Sequence, residues 1–374
     1  MWRNVRLRGL FIQVIVIALL LLAGGWIIHN TLNNLESRGI TTGFGFLTQQ
    51  AGFGIIQSLV PYDESHTFAR TFVVGLLNTL LVSFLGIILA TVLGFFIGIA
   101  RLSSNWLLAR LAGAYIEVFR NIPLLLQILF WYFAVLAVLP SPRQSLALGD
   151  SIFINIRGLF VPDITVHQFG LLGLATLSML IIWQGLRKTA LKDHGQLLKG
   201  VAALVLMALP WLFWLATDGF VLEKPVLKGF NFTGGIQLLP ELCALLLALS
   251  IYTAAFIGEV VRSGIESVSK GQTEAAQALG LKDSKILSKV VIPQAMRVII
   301  PPLTNQYLNL AKNSSLATAI GYPDLVNVFA GTTLNQTGQA VEVIAMTMAV
   351  YLTMSLLVSV FMNLYNRRMA LVER

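Results

Sequence analysis

Residues 252–293 read YTAAFIGEVVRSGIESVSKGQTEAAQALGLKDSKILSKVVIP, and the organisation of the chain follows from them. An apolar run ends within the first ten positions. Positions 273–279 are then rich in strong helix formers, and Gly280 stands where a left-handed cap would end a helix. A second short helix is expected near Asp283, with Asp283 or Ser284 as its N-cap. Ile286, Leu287 and Val290 share one face of it, and Pro293 stops the run. With Lys270, Lys282, Lys285 and Lys289, the pattern predicts a compact helical hairpin on the positive side of a bilayer. Ala275, Ala276 and Ala278 leave room for a partner's backbone; an ordinary solvated loop helix is the competing reading.

The surrounding composition demands the bilayer. Hydrophobic residues make up 56% and charged residues 11% of 374 positions, which excludes an ordinary water-soluble globule. The net charge of +9 sits at the ends of apolar runs, not in one patch with interleaved aromatics, so it reports topology and not nucleic-acid binding. One cysteine, Cys243, cannot build a disulfide within the chain. His29, His66, His167 and His194 are scattered without ligand spacing, so no metal site is expected. No phosphate-binding G-x-x-x-x-G-K-[ST] loop and no Ser/His/Asp set occurs, so no catalytic residues are assigned.

Outward from the hairpin, eight spans are expected. The first, 10–28, is long enough for a hydrocarbon core of about 30 Å and reads as a retained signal anchor, with a cleaved signal peptide as the alternative. Residues 30–69 carry Phe44, Phe46 and Phe53 and are expected to lie on the outer interface. Spans two and three are placed at 72–100 and 122–139, with Pro123 in the first turn of the latter and Glu117 and Arg120 spaced to pair. Gly86, Gly94 and Gly98 read as helix-packing positions. After an outer loop at 141–166, spans four and five fall at 169–186 and 201–216, and span six at 239–261, where Glu259 is spaced to pair with Arg262. Span seven begins near Val298 and is the most polar, and Pro301-Pro302 are expected to interrupt it. Span eight is placed at 343–365.

Three motifs carry a resemblance. Glu274-Ala275-Ala276, with Gly280 and then Val290-Val291-Ile292-Pro293 at fixed spacing, resembles the coupling-loop signature of ABC-importer membrane subunits. Arg262-Ser263-Gly264-Ile265-Glu266 with Lys270-Gly271-Gln272 resembles the polar amino-acid (histidine/glutamine-type) branch, as does the membrane-entry pattern Phe119-Arg120-Asn121-Ile122-Pro123-Leu124-Leu125-Leu126-Gln127. The enlarged plan is similar to permeases of general L-amino-acid importers. The resemblance implies an all-α polytopic membrane protein of about eight transmembrane helices with a type I ABC-importer permease core. It assigns Gly271, Glu274, Ala275, Ala276, Gly280, Leu281, Ile292 and Pro293 to ATPase coupling. It places Arg120, Asn121, Pro123 and Gln127 at the membrane entry and Lys312, Asn313, Ser314 and Ser315 along the translocation pathway.

The implied organisation is an anchor and outer segment (1–71), two core parts (72–140 and 239–368) flanking an inserted block (141–238), a coupling loop at 262–297 and a cytoplasmic tail (369–374). The implied partners are a second related permease subunit, expected to complete a heterodimer, a cytoplasmic ATPase dimer that uses ATP and Mg, and a periplasmic amino-acid-binding protein. No cofactor is expected on the chain itself. Both termini are expected in the cytoplasm and the spans in the bacterial inner membrane. Six basic residues then fall outside (Arg38, Arg70, Arg143, Arg157, Lys224, Lys228), Lys312 lies within a span, and every other Lys and Arg is inside. An ion-coupled secondary transporter or channel is the rival class; it would need no docking hairpin.

Overall fold

The computed structural model describes residues 5–37, 42–166, 176 and 220–369. Among these, five helices are long and apolar enough to cross a membrane, or six if one bent pair counts as a span. The expected fourth and fifth spans lie outside the described residues. The chain divides into two units, one of residues 1–129 with 245–374 and one of residues 130–244.

The first unit is helical. Helix α1 (Val5–Ser37) contains an apolar stretch, Phe11–Thr31, none of which is buried. Helix α2 (Phe68–Arg101) crosses the unit and buries Val74, Val82 and Ala90 together with Asn78 and Thr79. The phenylalanines of the segment before it do not share one environment. Phe46, on a 3-10 turn (Phe44–Thr48), is 2% exposed and packs with Phe68, Leu325, Phe329 and Val343. Phe44 and Ile56 remain exposed.

Helix α3 (Trp106–Asn121) begins at Asn105, whose side chain accepts from the N–H groups of Leu107 and Leu108. It meets the next helix, α4 (Leu124–Leu129, continued to Leu136 as a π turn), at 105°. The break follows from Pro123, which has no N–H to offer the Phe119 carbonyl one turn earlier. Gln127 replaces that donor. Its side chain is 4% exposed, and Nε2 donates to Phe119 O and to Ile122 O, each at 3.0 Å. Pro123 itself precedes α4, and its carbonyl accepts from the Leu126 and Gln127 N–H groups. The spacing of Glu117 and Arg120 produces no ion pair; the Arg120 guanidinium lies 5.1 Å from the centre of the Phe256 ring instead.

Helix α5 (Pro240–Glu266) packs on α2 where α2 is glycine. A methyl group at Gly98 would stand 2.7 Å from the Gly258 carbonyl and the same distance from Val261 Cβ. The backbones approach only because those side chains are absent. The hairpin follows as α6 (Lys270–Ala278) and α7 (Asp283–Ile286). A π turn (Leu287–Val291) then runs directly into α8 (Ile292–Asn313). Pro293 therefore does not stop the chain. It sits in the first turn of α8, where no N–H is missed, after a widened turn that makes room for its ring. Span seven starts at Ile292, and Pro301 and Pro302 lie inside a continuous helix where an interruption is predicted.

Beyond α8 come a 3-10 turn (Ser314–Ile320), a π turn (Val326–Thr333), α9 (Leu334–Thr337) and α10 (Ala340–Met369). Helices α8 and α10 lie alongside each other, and both the π turn and α8 contact α2.

The second unit is where the chain departs from helix. Residues 141–166, expected as a loop, hold four short strands, and four more follow the undescribed segment. Strands β1 (Leu146–Leu148), β2 (Ile152–Asn155), β3 (Gly158–Val161) and β8 (Ile236–Leu238) form one antiparallel sheet. Strands β4 (Asp163–Val166) and β5 (Phe220–Glu223), and β6 (Val226–Lys228) and β7 (Asn231–Thr233), form two antiparallel pairs. Phe160 and Phe232 are buried between them, with ring centres 4.9 Å apart.

Two substitutions test this packing. Gln127→Leu leaves the Phe119 and Ile122 carbonyls without a donor and should cost about 1–3 kcal/mol, seen as a lower midpoint in thermal unfolding of the detergent-purified protein. Gly98→Val overpacks the α2–α5 contact at a cost of about 1–3 kcal/mol. An unchanged midpoint in either variant would contradict the corresponding contact.

Candidate functional site

The hairpin closes on itself through its backbone. Gly280 has φ of 75°, a left-handed conformation that glycine adopts without strain. Its N–H donates to Gln277 O at 2.8 Å, and the Leu281 N–H reaches back to Ala276 O at 3.2 Å. These are the two bonds of a Schellman cap, as the sequence predicts. The second helix differs by one residue: Lys282, and neither Asp283 nor Ser284, occupies the N-cap, and Asp283 lies in the first turn, where its charge suits the helix dipole.

One face of the hairpin is a small core. Ala276, Ile286 and Val291 are buried together, with Ile265, Val268 and Val290 against them. Leu287, expected on this face, is 39% exposed, because the π turn shifts the inward position to Val291. The other face is open. Glu274, Ala275, Ala278, Gly280 and Leu281 are exposed, and Leu279 is 81% exposed at the tip. A leucine so exposed beside a small-residue surface has lost its share of burial, and this is the contact that motif reading misses. Its signal is position: Leu279 is the C-cap residue, which projects away from the helix it ends. Gly271 lies in the first turn of α6, where a methyl group would meet only Ser269 Oγ at an ordinary 3.6 Å, so packing does not require glycine there. Ile292 and Pro293 are half-buried at the start of α8.

The hairpin is attached at α5, where Arg262 is held on both sides. Its guanidinium makes two bonds to Glu259, at 2.6 and 3.1 Å, and a third to Glu266. The pairing of Glu259 with Arg262 is thus observed. A bidentate bond of this kind fixes the side chain's orientation as well as its charge.

At the membrane entry, Gln127 is the buried residue of the four predicted, and Arg120, Asn121 and Pro123 are less enclosed. Asn121 donates to Glu117 O at 2.6 Å. The four residues flank the bend between α3 and α4.

The four pathway candidates do not share one face. Ser314 is 1% exposed and its hydroxyl donates to Ala311 O at 2.8 Å; the Ser315 hydroxyl donates likewise to Lys312 O. Asn313 is half-buried and Lys312 is exposed. A different set lines up with Lys312. Asn305 and Asn309 are exposed on α8 at helical spacing from it, and Pro301 and Pro302 extend the same stripe. The neighbouring Leu310 packs on Gly86, close to the middle of α2, so Lys312 stands near the mid-depth of the bundle. Among the described residues it forms no ion pair. An ammonium at that depth is costly against lipid and belongs on a protein-facing or water-filled surface.

Comparison with known proteins places these features. The model of the family described as "binding-protein-dependent transport system inner membrane component" matches residues 86–371. A putative amino-acid ABC transporter permease protein, YhdX, of Escherichia coli strain K12 is 54% identical over 378 residues, covering 99% of this chain and 96% of its own. The general L-amino acid transport system permease protein AapQ of Rhizobium johnstonii is 50% identical, covering 98% and 93%. A solved structure described as an amino acid ABC transporter with histidines aligns with a TM-score of 0.50 over 80% of this chain and 95% of its own. At 23% identity it speaks for the fold alone. With a family model spanning most of the chain and full-length relatives at half identity, the chain belongs to the inner-membrane components of binding-protein-dependent transport systems.

Proposed function

We propose that this chain is the membrane-spanning subunit of an ATP-driven importer of L-amino acids in the bacterial inner membrane. The observation that carries the reading is the hairpin at 270–291, closed by its own cap and presenting Glu274, Ala275, Leu279 and Leu281 on a free face. A self-braced knob with an apolar tip is shaped to enter a cleft on a separate subunit. That subunit is the ATPase, which binds ATP and Mg; this chain holds neither. With the hairpin in the cytoplasm, both termini are cytoplasmic, and a soluble binding protein delivers the substrate from the outer side. Full-length similarity to a general L-amino-acid permease supports the substrate class.

Transport then proceeds by alternating access. Closure of the ATPase dimer moves the hairpin, and the bundle follows through α5, with its Arg262 clasp, and through α8, which continues from the hairpin without a break. The stripe of Asn305, Asn309 and Lys312 faces the route between this chain and a second, related permease subunit. Its amides and ammonium suit a zwitterion carrying a carboxylate.

Uptake of labelled L-amino acids into vesicles, with and without the ATPase, tests the reading. Leu279→Glu and Glu274→Lys should each reduce uptake and ATPase co-purification about tenfold, equivalent to about 1.4 kcal/mol of docking. Uptake that persists without ATPase, or follows an ion gradient, would sink it. Lys312→Met should abolish uptake while the ATPase still co-purifies; loss of co-purification would mark Lys312 as structural.

A further inference from the structure

Between the 3-10 turn that follows α8 and the π turn before α9, the chain folds back at Gly321 and carries Asp324 into the interior, where it is 1% exposed. Its neighbours are pinned to α2. Asn78 donates to Pro323 O at 2.9 Å, and the Leu325 N–H donates to Thr79 Oγ1 at 2.9 Å. Gly75 completes the seat, since a methyl group there would lie 3.0 Å from Leu325 Cα.

The two carboxyl oxygens of Asp324 have different environments. Oδ1 accepts the Asn327 N–H, in the first turn of the π segment, at 2.8 Å. Oδ2 has no hydrogen-bond partner, although it lies beside the Tyr351 hydroxyl of α10, which is also without one. No Lys, Arg or His pairs with Asp324 among the described residues. The titratable groups that face it are Tyr322, on its own turn, and Tyr351. Helix α2 presents Asn78 and Thr79, and the 3-10 turn presents Ser314 to the same hydroxyl; none of these carries charge.

A carboxylate buried with no counter-charge takes up a proton rather than remain ionised. Burial pushes the Asp324 carboxyl up to about 7, against the opposing pull of the Asn327 N–H. The Tyr351 hydroxyl suits Oδ2 in either state, donating to the carboxylate or accepting from the carboxyl, so the two states differ by the cost of burying a charge that no cation balances.

We propose that Asp324 is a protonatable latch: in its neutral form it stays buried beside Tyr351 and holds residues 314–333 between α2 and α10, and in its ionised form the cost of a buried charge without a counter-ion loosens them. The segment it holds includes Ser314 and Ser315 and adjoins Lys312, so the latch fixes one wall of the proposed route. The transport consequence rests on the proposed function; the latch itself does not. Because the folded value lies above the value of about 3.9 for an exposed aspartate, the stabilisation is full below about pH 4. It is lost as pH rises through about 7.

Thermal unfolding of the full-length, detergent-purified chain tests this without substrate or ATPase. Wild type should lose about 2 °C or more between about pH 5.5 and 8.5. Asp324→Asn keeps the acceptor for Asn327 and gives Tyr351 a permanent donor, so its midpoint should hold across that range at the wild-type acid value. Equal slopes in the two proteins, or a midpoint of Asp324→Asn as low as that of Asp324→Leu, would overturn the latch. Should the variants fail to fold, infrared difference spectra of wild type decide. A protonated-carboxyl band present at about pH 6 and lost by about pH 8.5 supports the latch, and a band unchanged over that interval refutes it. In vesicles, the uptake profiles of wild type and Asp324→Asn should diverge above about pH 7. Superimposed profiles would refute the latch, whereas absence of uptake in both, with the thermal result intact, would indict the proposed function alone.

Discussion

In hydrocarbon there is no water to bond a backbone N–H or C=O, and each one left bare costs several kcal/mol. The departures from straight helix in this bundle are arranged around that constraint. Pro123 withdraws a donor from the Phe119 carbonyl, and the Gln127 amide supplies one. The turn before the π segment would leave the Leu325 N–H bare, and Thr79 accepts it from across the bundle. Pro293 withdraws a donor too, but within a first turn, where none is used. Hence the chain bends at 122–123, where a side chain can repair the ladder, and continues through 287–293, where nothing needs repair.

Backbone closure also gives the hairpin its mechanical character. A helix end in water can leave its carbonyls solvated, yet this one closes both of its Schellman bonds and buries Ala276 against Ile286 and Val291. The small core beneath is continuous with Ile265 and Val268 at the end of α5. Displacing the tip therefore displaces α5 and α8 together. A loop helix held only by its two ends would absorb that displacement in its own turns.

Much of this is legible in the sequence, for identifiable reasons. Hydropathy locates α2, α5, α8 and α10, because long uniform apolar runs have no soluble alternative. Gly280 announces its cap, because few residues tolerate that φ. Prolines are less informative. Their local preference is to break helices, but 301–302 lie inside a continuous helix, and at 293 the preceding π turn absorbs the ring. The strands at 146–161 look like loop because three- and four-residue segments are too short to display a period of two. Phe46 misleads because an aromatic residue near a membrane surface suits the interface and the core equally well, and only its distant partner Phe329 decides between them.

The polar candidates of span seven show where residue type alone misleads. A serine or threonine in a helix can bond the carbonyl three or four residues back, which removes its cost in lipid and commits its proton, leaving only the oxygen to accept from a partner. Ser314, Ser315 and Thr304 do this on α8 and its continuation, Thr79 and Thr91 on α2, and Thr347 and Thr353 on α10. Their polarity is therefore compatible with almost any surroundings. An asparagine amide or a lysine ammonium has more donors than the local backbone can use. Asn305, Asn309 and Lys312 stay exposed on one stripe with no side-chain partner among the described residues, so the surface they face must itself be polar. On the proposed function, the stripe, and not the number of polar residues in the span, is what would distinguish a route from a well-bonded bundle.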